Sequence, residues 1–144
     1  MIIEYRNLQS DTDWKWLTAR ADPVLTTATT GIVAIDKNTA SIVAMACFDS
    51  WTETSAQIHW AIDKPMVLRH GFVEEIFNYL FNTCGKEILL AGIPADNIKS
   101  LKLGVHLGMK VIYRIGDGVK RGVDLVLMEQ RKENCKWLRS ATNG

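Results

Sequence analysis

The chain opens on IIEYR (2–6), a short run of strand type, and then turns polar until Trp14 and Leu17, three apart, mark the inner face of a helix. Ser10 with Asp13 three residues later is a capping box in which Asp stands in for Glu, so this first helix is predicted over about residues 11–21. Pro23 and the threonine-rich TTATT end it in a loop. TGIVAIDK and ASIVAMACF follow as two apolar strands joined across Lys37 and Asn38, and SAQIHWAI adds a third after a polar turn at 51–54. Three such neighbours predict an antiparallel meander.

From Gly71 the period changes. FVEEIFNYLF sets Phe72, Val73, Ile76, Phe77 and Leu80 on one broad helical face, and Cys84-Gly85 closes it as a C-cap. EILLAGI is a short buried strand bounded by Gly85 and Pro94. The stretch ADNIKSLKLGVHLGMKVI then reads as a helix with Asp96 or Asn97 as N-cap and Gly108 as its stop. Its interior Gly104 is unexpected, because glycine there costs about 1 kcal/mol against alanine. MKVIYRI and VDLVLMEQ are two strands around a turn at GDG, and RKENCKWLRS is a short terminal helix leading into ATNG. The order βαβββαβαββ predicts a single α/β domain over residues 1–144. Its mixed, mainly antiparallel sheet is flanked by helices, and 131–144 form a terminal helix and tail.

Composition narrows the function classes. The 144 residues, 47% of them hydrophobic, suit one core, and 17 basic against 16 acidic residues give a net charge of +1. A nucleic-acid or membrane partner is therefore not expected. Cys47, Cys84 and Cys135 are an odd set without metal-ligand spacing, so reduced thiols, no metal and a cytoplasmic location are expected. No apolar run of about 18 residues predicts a membrane span.

The junction after Ile62 carries the first chemical signal. A loop, DKPMVLRHG, runs from a strand into the start of a helix, whose free N–H groups and positive dipole end suit a phosphate. Arg69 and His70 add charge there, and Gly71 permits close backbone approach. His59, sharing a strand face with Gln57 and Ala61, is the titratable group best placed as a base, although a lone strand histidine is more often structural. Glu53 is a second candidate base, more simply an exposed turn residue, and Asp63 and Lys64 read as loop charges.

The order of elements, with Asn97, Ser100 and Leu107-Gly108-Met109 in the pattern Asn, small residue, apolar turn, Leu-Gly-Phe, resembles the GNAT superfamily of acyl-CoA N-acyltransferases over residues 2–129. A second motif, Gln or Arg, two residues, Gly, one residue, Gly or Ala, is matched in part by LRHGFV: Gly71 holds the first glycine place, while Leu68 and Val73 depart from the pattern. The resemblance implies a site for acetyl-CoA or another acyl-CoA. The pantetheine arm would lie along Trp60, Ala61 and Ile62, and the pyrophosphate would meet backbone N–H groups at Arg69, His70, Gly71, Phe72 and Val73. Asn97 belongs to the same cofactor set.

On this resemblance the expected function is acyl transfer, most simply acetyl transfer, to an amine of a small molecule or protein, with His59 as general base. The position where many relatives carry an acidic tyrosine is Gly104 here. Tyr113 and Tyr79 lie elsewhere, and His106 is turned about 200° from Gly104 on the same helix. No cysteine has a recognisable base partner, so no acyl-enzyme is expected. The alternative is a non-catalytic GNAT-like structural or assembly component, for example of a tailed bacteriophage, and a homodimer is left open.

Overall fold

The computed structural model describes residues 1–138 and shows a seven-stranded sheet. β1 (Ile3–Asn7), β2 (Thr30–Asp36), β3 (Ser41–Asp49) and β4 (Ser55–Ile62) form the antiparallel meander, continued by β5 (Ile88–Pro94), β7 (Val123–Arg131) and β6 (Lys110–Lys120) in the spatial order β1-β2-β3-β4-β5-β7-β6. Every neighbouring pair is antiparallel except β4 and β5.

Helices cover both faces of the sheet. α1 (Asp11–Thr18) seats Leu17, flanked by Trp14 and Trp16, on Val33, Met45, Cys47 and Ala61. α2 (Phe72–Phe77) and α3 (Ile98–His106) lie on the opposite face, where Phe72, Val73, Ile76, Phe77 and Leu107 join Ile58, Leu89 and Met128 in the larger core. β3 is buried on both sides, which is why its sequence is continuously apolar rather than alternating.

The capping box at Ser10 and Asp13 is present, but α1 ends at Thr18, short of residue 21. The helix predicted over 72–81 is α-helical only to Phe77. It then widens into a π-helical turn, Asn78–Thr83, and that winding carries both Leu80 and Phe81 into the core beside Phe77. The glycine pair at 116 and 118 does not make the last hairpin turn. β6 runs on to Lys120 through an irregular stretch held by carboxylates: Asp117 donates its N–H to Asp124 and accepts from the Gly122 N–H, and the reversal comes at Gly122, φ 83°. The expected terminal helix is reduced to one 3₁₀ turn, Lys132–Asn134, and the remainder of that expectation, 139–144, lies outside the described residues. No helix among the described residues is long and apolar enough to cross a membrane.

The feature that positions the site is a short parallel pairing. β4 and β5 are in register only at Ser55↔Ile88, Ala56↔Leu89 and Gln57↔Leu90. Beyond Gln57 the strands part, β4 staying with β3 and β5 with β7. The sheet opens there as a V.

Candidate active site

Backbone groups line the V because of register. Asp63 donates its N–H to the Val43 carbonyl, so alternation commits Ala61, His59 and Gln57 to β3 and turns the backbone of Ile58, Trp60 and Ile62 toward the gap. On the other side the Ala95 N–H bonds the Asp124 carbonyl, which commits Ile93 and Ala91 to β7 and turns Gly92 to the gap. Both walls of the V therefore present unpaired main-chain donors and acceptors.

Two cavities meet in this opening. One, of about 460 Å³, is lined by Trp60, Ala61, Ile62, Leu68 and the outer face of α3. The other, of about 330 Å³, opens on the α1 side and includes His59, Arg20, Asp22, Gly92 and Pro94. Arg20, Trp60, Asn97 and Ser100 border both. Arg20 is held by a bidentate pair with Asp63, at 3.0 and 2.9 Å, and lies over the Trp16 ring.

α3 contributes a polar, cationic face. Lys99, Lys102 and His106, spaced by three and four residues, line the larger cavity together with Ser100 and Leu103. Asn97 caps the helix, accepting the Ser100 N–H at 3.1 Å, so the Asn and Ser of the sequence motif are a cap at the cavity rim. Gly108, φ 86°, ends the helix, and Met109 N–H reaches back to the Gly104 carbonyl.

Gly104 faces the sheet, away from the cavity. A Cβ there would stand 2.9 Å from Met128 Sδ and 3.5 Å from Ile93 Cδ1. This explains the glycine: it lets α3 approach β5 and β7. His106 lies on the cavity face, its ring against Trp137.

His59 sits where β4 leaves its partner. Its Nε2 is 2.7 Å from Asp49 Oδ2, and that oxygen also accepts the Val24 N–H at 2.6 Å. The imidazole N–H does not point in line at the carboxylate, so the pair is a close contact rather than a well-aligned hydrogen bond, and Asp49 Oδ1 has no partner among the described residues. Asp49 is fully buried and His59 about three-quarters buried. Cys47 is opposite His59 in the β3–β4 register, but burial, reinforced by Asp49, pushes its thiol up to about 12, so it is not a nucleophile.

The loop predicted to take a pyrophosphate is partly ordered by a 3₁₀ turn, Pro65–Arg69, followed by Gly71 in the left-handed conformation at φ 92°. Tyr5 donates its hydroxyl to the His70 carbonyl from β1, and burial, with Glu75 and then Glu74 nearby, raises that phenol. Arg69 and His70 are exposed, while the Phe72 and Val73 side chains are wholly buried in the core. Val73 thus does not crowd the helix start. Of the expected cofactor residues, Trp60, Ala61, Ile62 and Asn97 converge on the larger cavity, whereas the segment from Arg69 to Val73 does not line it; Leu68 marks its end.

The tyrosines are elsewhere. Tyr113 is exposed on β6, and the Tyr79 hydroxyl bonds Thr30 Oγ1, raised chiefly by burial. Trp51 covers the core edge beside Phe48 and donates to the Ala28 carbonyl. Asp49, Arg20, Lys99 and Lys102 join the site in the structure without standing out in the sequence. The lysines were discoverable from their spacing with His106, and Asp49 from the meander, which sets it two residues diagonally from the partner of His59. No group of three or more His, Cys, Asp or Glu suited to a metal occurs among the described residues.

No protein-family model and no curated protein sequence matches the chain. Solved structures do. The spermidine N-acetyltransferase SpeG N152L mutant from Vibrio cholerae superposes with TM-score 0.76 at 12% identity, over 95% of this chain and 96% of that one. The ribosomal-protein-S5-alanine acetyltransferase from Vibrio fischeri gives 0.63 at 17% identity, over 75% and 64%. An acetyltransferase of the GNAT family from Bacillus anthracis gives 0.58 at 16% identity, over 72% and 67%. The fold is that of the GNAT superfamily.

Proposed function

We propose that this GNAT-fold chain is an acyl-CoA-dependent N-acyltransferase, most simply one that moves an acetyl group from acetyl-CoA to an amine. The observation that carries the reading is the V between β4 and β5, with free backbone groups at the Ile58 carbonyl, Trp60, Ile62 and Gly92. The open edge from Ile58 to Ile62 extends about 13 Å at strand rise, a length that suits an arm bearing two amides. Main-chain pairing of those amides is strand addition with a cosubstrate in place of a strand.

Charge supports the same ligand. Lys99, Lys102 and His106 along the larger cavity offer donors to phosphates. The N–H groups at the start of α2 and the exposed Arg69 and His70 are the second phosphate contact in this reading, at the Leu68 end of the cavity. Asn97 borders the ligand from the α3 cap.

Acyl transfer needs a neutral amine. In the smaller cavity His59 takes the ammonium proton, the free amine attacks the thioester carbonyl, and the tetrahedral species collapses to amide and thiol. The second proton of the amine nitrogen passes to the departing thiolate to give the thiol, and because the amine attacks the thioester directly no acyl-enzyme forms. The spermidine/spermine and ribosomal-protein acetyltransferases of similar fold make polyamines and protein amino groups the first acceptors to try.

A second reading, a GNAT-like structural or assembly protein such as a tailed bacteriophage encodes, is favoured by one observation: Gly104 occupies the place of the usual acid and faces Met128, and no tyrosine lines the cavities. Thiol release from acetyl-CoA in the presence of spermidine, alanine-ended peptides and lysine peptides decides between them. The enzyme reading expects turnover with at least one amine, and His59→Ala lowering kcat about 10²-fold at nearly constant KM for acetyl-CoA. Absence of turnover with every amine supports the second reading.

A further inference from the structure

We propose that Asp49 is a positioning residue that fixes the tautomer and orientation of His59, so that Nδ1 is the nitrogen that receives the acceptor's proton. The inference rests on the reading of His59 as base and adds a residue to it. The buried Asp49 carboxylate, with Oδ2 2.7 Å from His59 Nε2, places negative charge beside that nitrogen and so favours the proton on Nε2 over Nδ1, although the N–H does not point in line at the oxygen. Nε2 is also the buried nitrogen, which leaves Nδ1 for the amine.

Asp49 is built for that task. Its side chain is 1% exposed, Oδ2 is pinned by the Val24 N–H, and Oδ1 is buried without a partner among the described residues, so its charge is not dissipated elsewhere. When His59 Nδ1 takes a proton from the ammonium, the ring becomes a cation beside this carboxylate, and the proton passes on to solvent at the open side of the cavity. Among the described residues, the other charged or titratable groups around the ring are Cys47 across on β3 and Arg20 and Asp22 from the segment after α1. Arg20 is already engaged by Asp63, and β5 and β7 contribute only Ala91, Gly92, Ile93, Pro94 and Leu125 to that cavity.

Asp49→Asn tests this with little change of shape. A carboxamide can keep its oxygen on the Val24 N–H and turn its NH₂ toward His59, which then favours a bare Nε2 and a proton on Nδ1. The ¹⁵N shifts of His59, recorded on ¹⁵N-histidine protein at a pH where the ring is neutral, are expected to report the Nε2–H tautomer in the parent and the Nδ1–H tautomer in Asp49→Asn. Turnover in Asp49→Asn is expected to fall about 10²-fold in kcat with KM for acetyl-CoA unchanged, and to fall no further when His59→Ala is added. Asp49→Glu, with its charge retained, is expected to recover part of kcat. An unchanged tautomer, or losses that multiply in the double variant, would overturn the inference. If the parent lacks turnover, the enzyme reading fails by itself, and the tautomer measurement still decides whether Asp49 sets the ring.

Discussion

Gly104 on α3 lies so close to Met128 on β7 that an added Cβ would stand 2.9 Å from the methionine sulfur. The contact seats the helix that carries Lys99, Lys102 and His106 along the cavity. Gly104→Tyr is therefore expected to destabilise the fold by about 1–3 kcal/mol through overpacking, without a gain in acetyl transfer. Adding Met128→Ala, which clears the far end of the obstructing side chain, should recover part of that loss in thermal melts. A stable Gly104→Tyr protein with faster turnover would show that the tyrosine reaches the cavity.

Lys99 and Lys102 supply a prediction for the ligand. Reversing both to Glu should weaken acetyl-CoA binding at least tenfold, since like charge then faces the phosphates, while the melting temperature without ligand changes little. The loss should shrink as salt is raised. Calorimetry at two ionic strengths measures both effects.

Gly71 tests the loop. At φ 92° an alanine is strained, although its Cβ would meet only the Tyr5 hydroxyl at 3.7 Å and ring edge at 3.8 Å, ordinary contacts. Gly71→Ala should lower stability by about 1 kcal/mol for conformational rather than steric reasons. A chemical-denaturation midpoint equal to the parent's would mean the loop relaxes freely.

Asp13 ties α1 to β1 and gives the fold a pH dependence. The Arg6 guanidinium, with backbone N–H groups of Gln9 and Ser10, holds its carboxyl down at about 2 against an ordinary 3.8. Because the folded value lies below the unfolded one, this stabilisation is complete above about pH 5 and is lost as pH falls through 4 toward 2. Screening at the solvent-facing Arg6 end leaves it on the order of 1 kcal/mol. Asp13→Asn should remove that part of the acid limb of stability, read from melts between pH 2 and pH 6.

Much of the fold was legible because its strands and helices carry clean periods. The meander, the capping box and the Gly108 stop follow from local sequence. What failed locally was decided by tertiary packing: the π-turn after Phe77 exists to bury Leu80 and Phe81 together, and the β6–β7 reversal is displaced to Gly122 by the carboxylates of Asp117 and Asp124. The site was legible in part. Alternation set His59 on the face opposite Ile58, Trp60 and Ile62, and the resemblance pointed to the edge near Trp60, but Asp49 is on another strand, and only register brings it to His59. Gly104 reads along the sequence as a missing acid, and in three dimensions as a helix-to-sheet contact.

Whether the V between β4 and β5 holds acyl-CoA is decided by titration calorimetry of the chain with acetyl-CoA. The account predicts saturable binding of one molecule per chain with a Kd below millimolar, weakened by the Lys99 and Lys102 reversals. No heat and no competition by CoA up to millimolar ligand would contradict it.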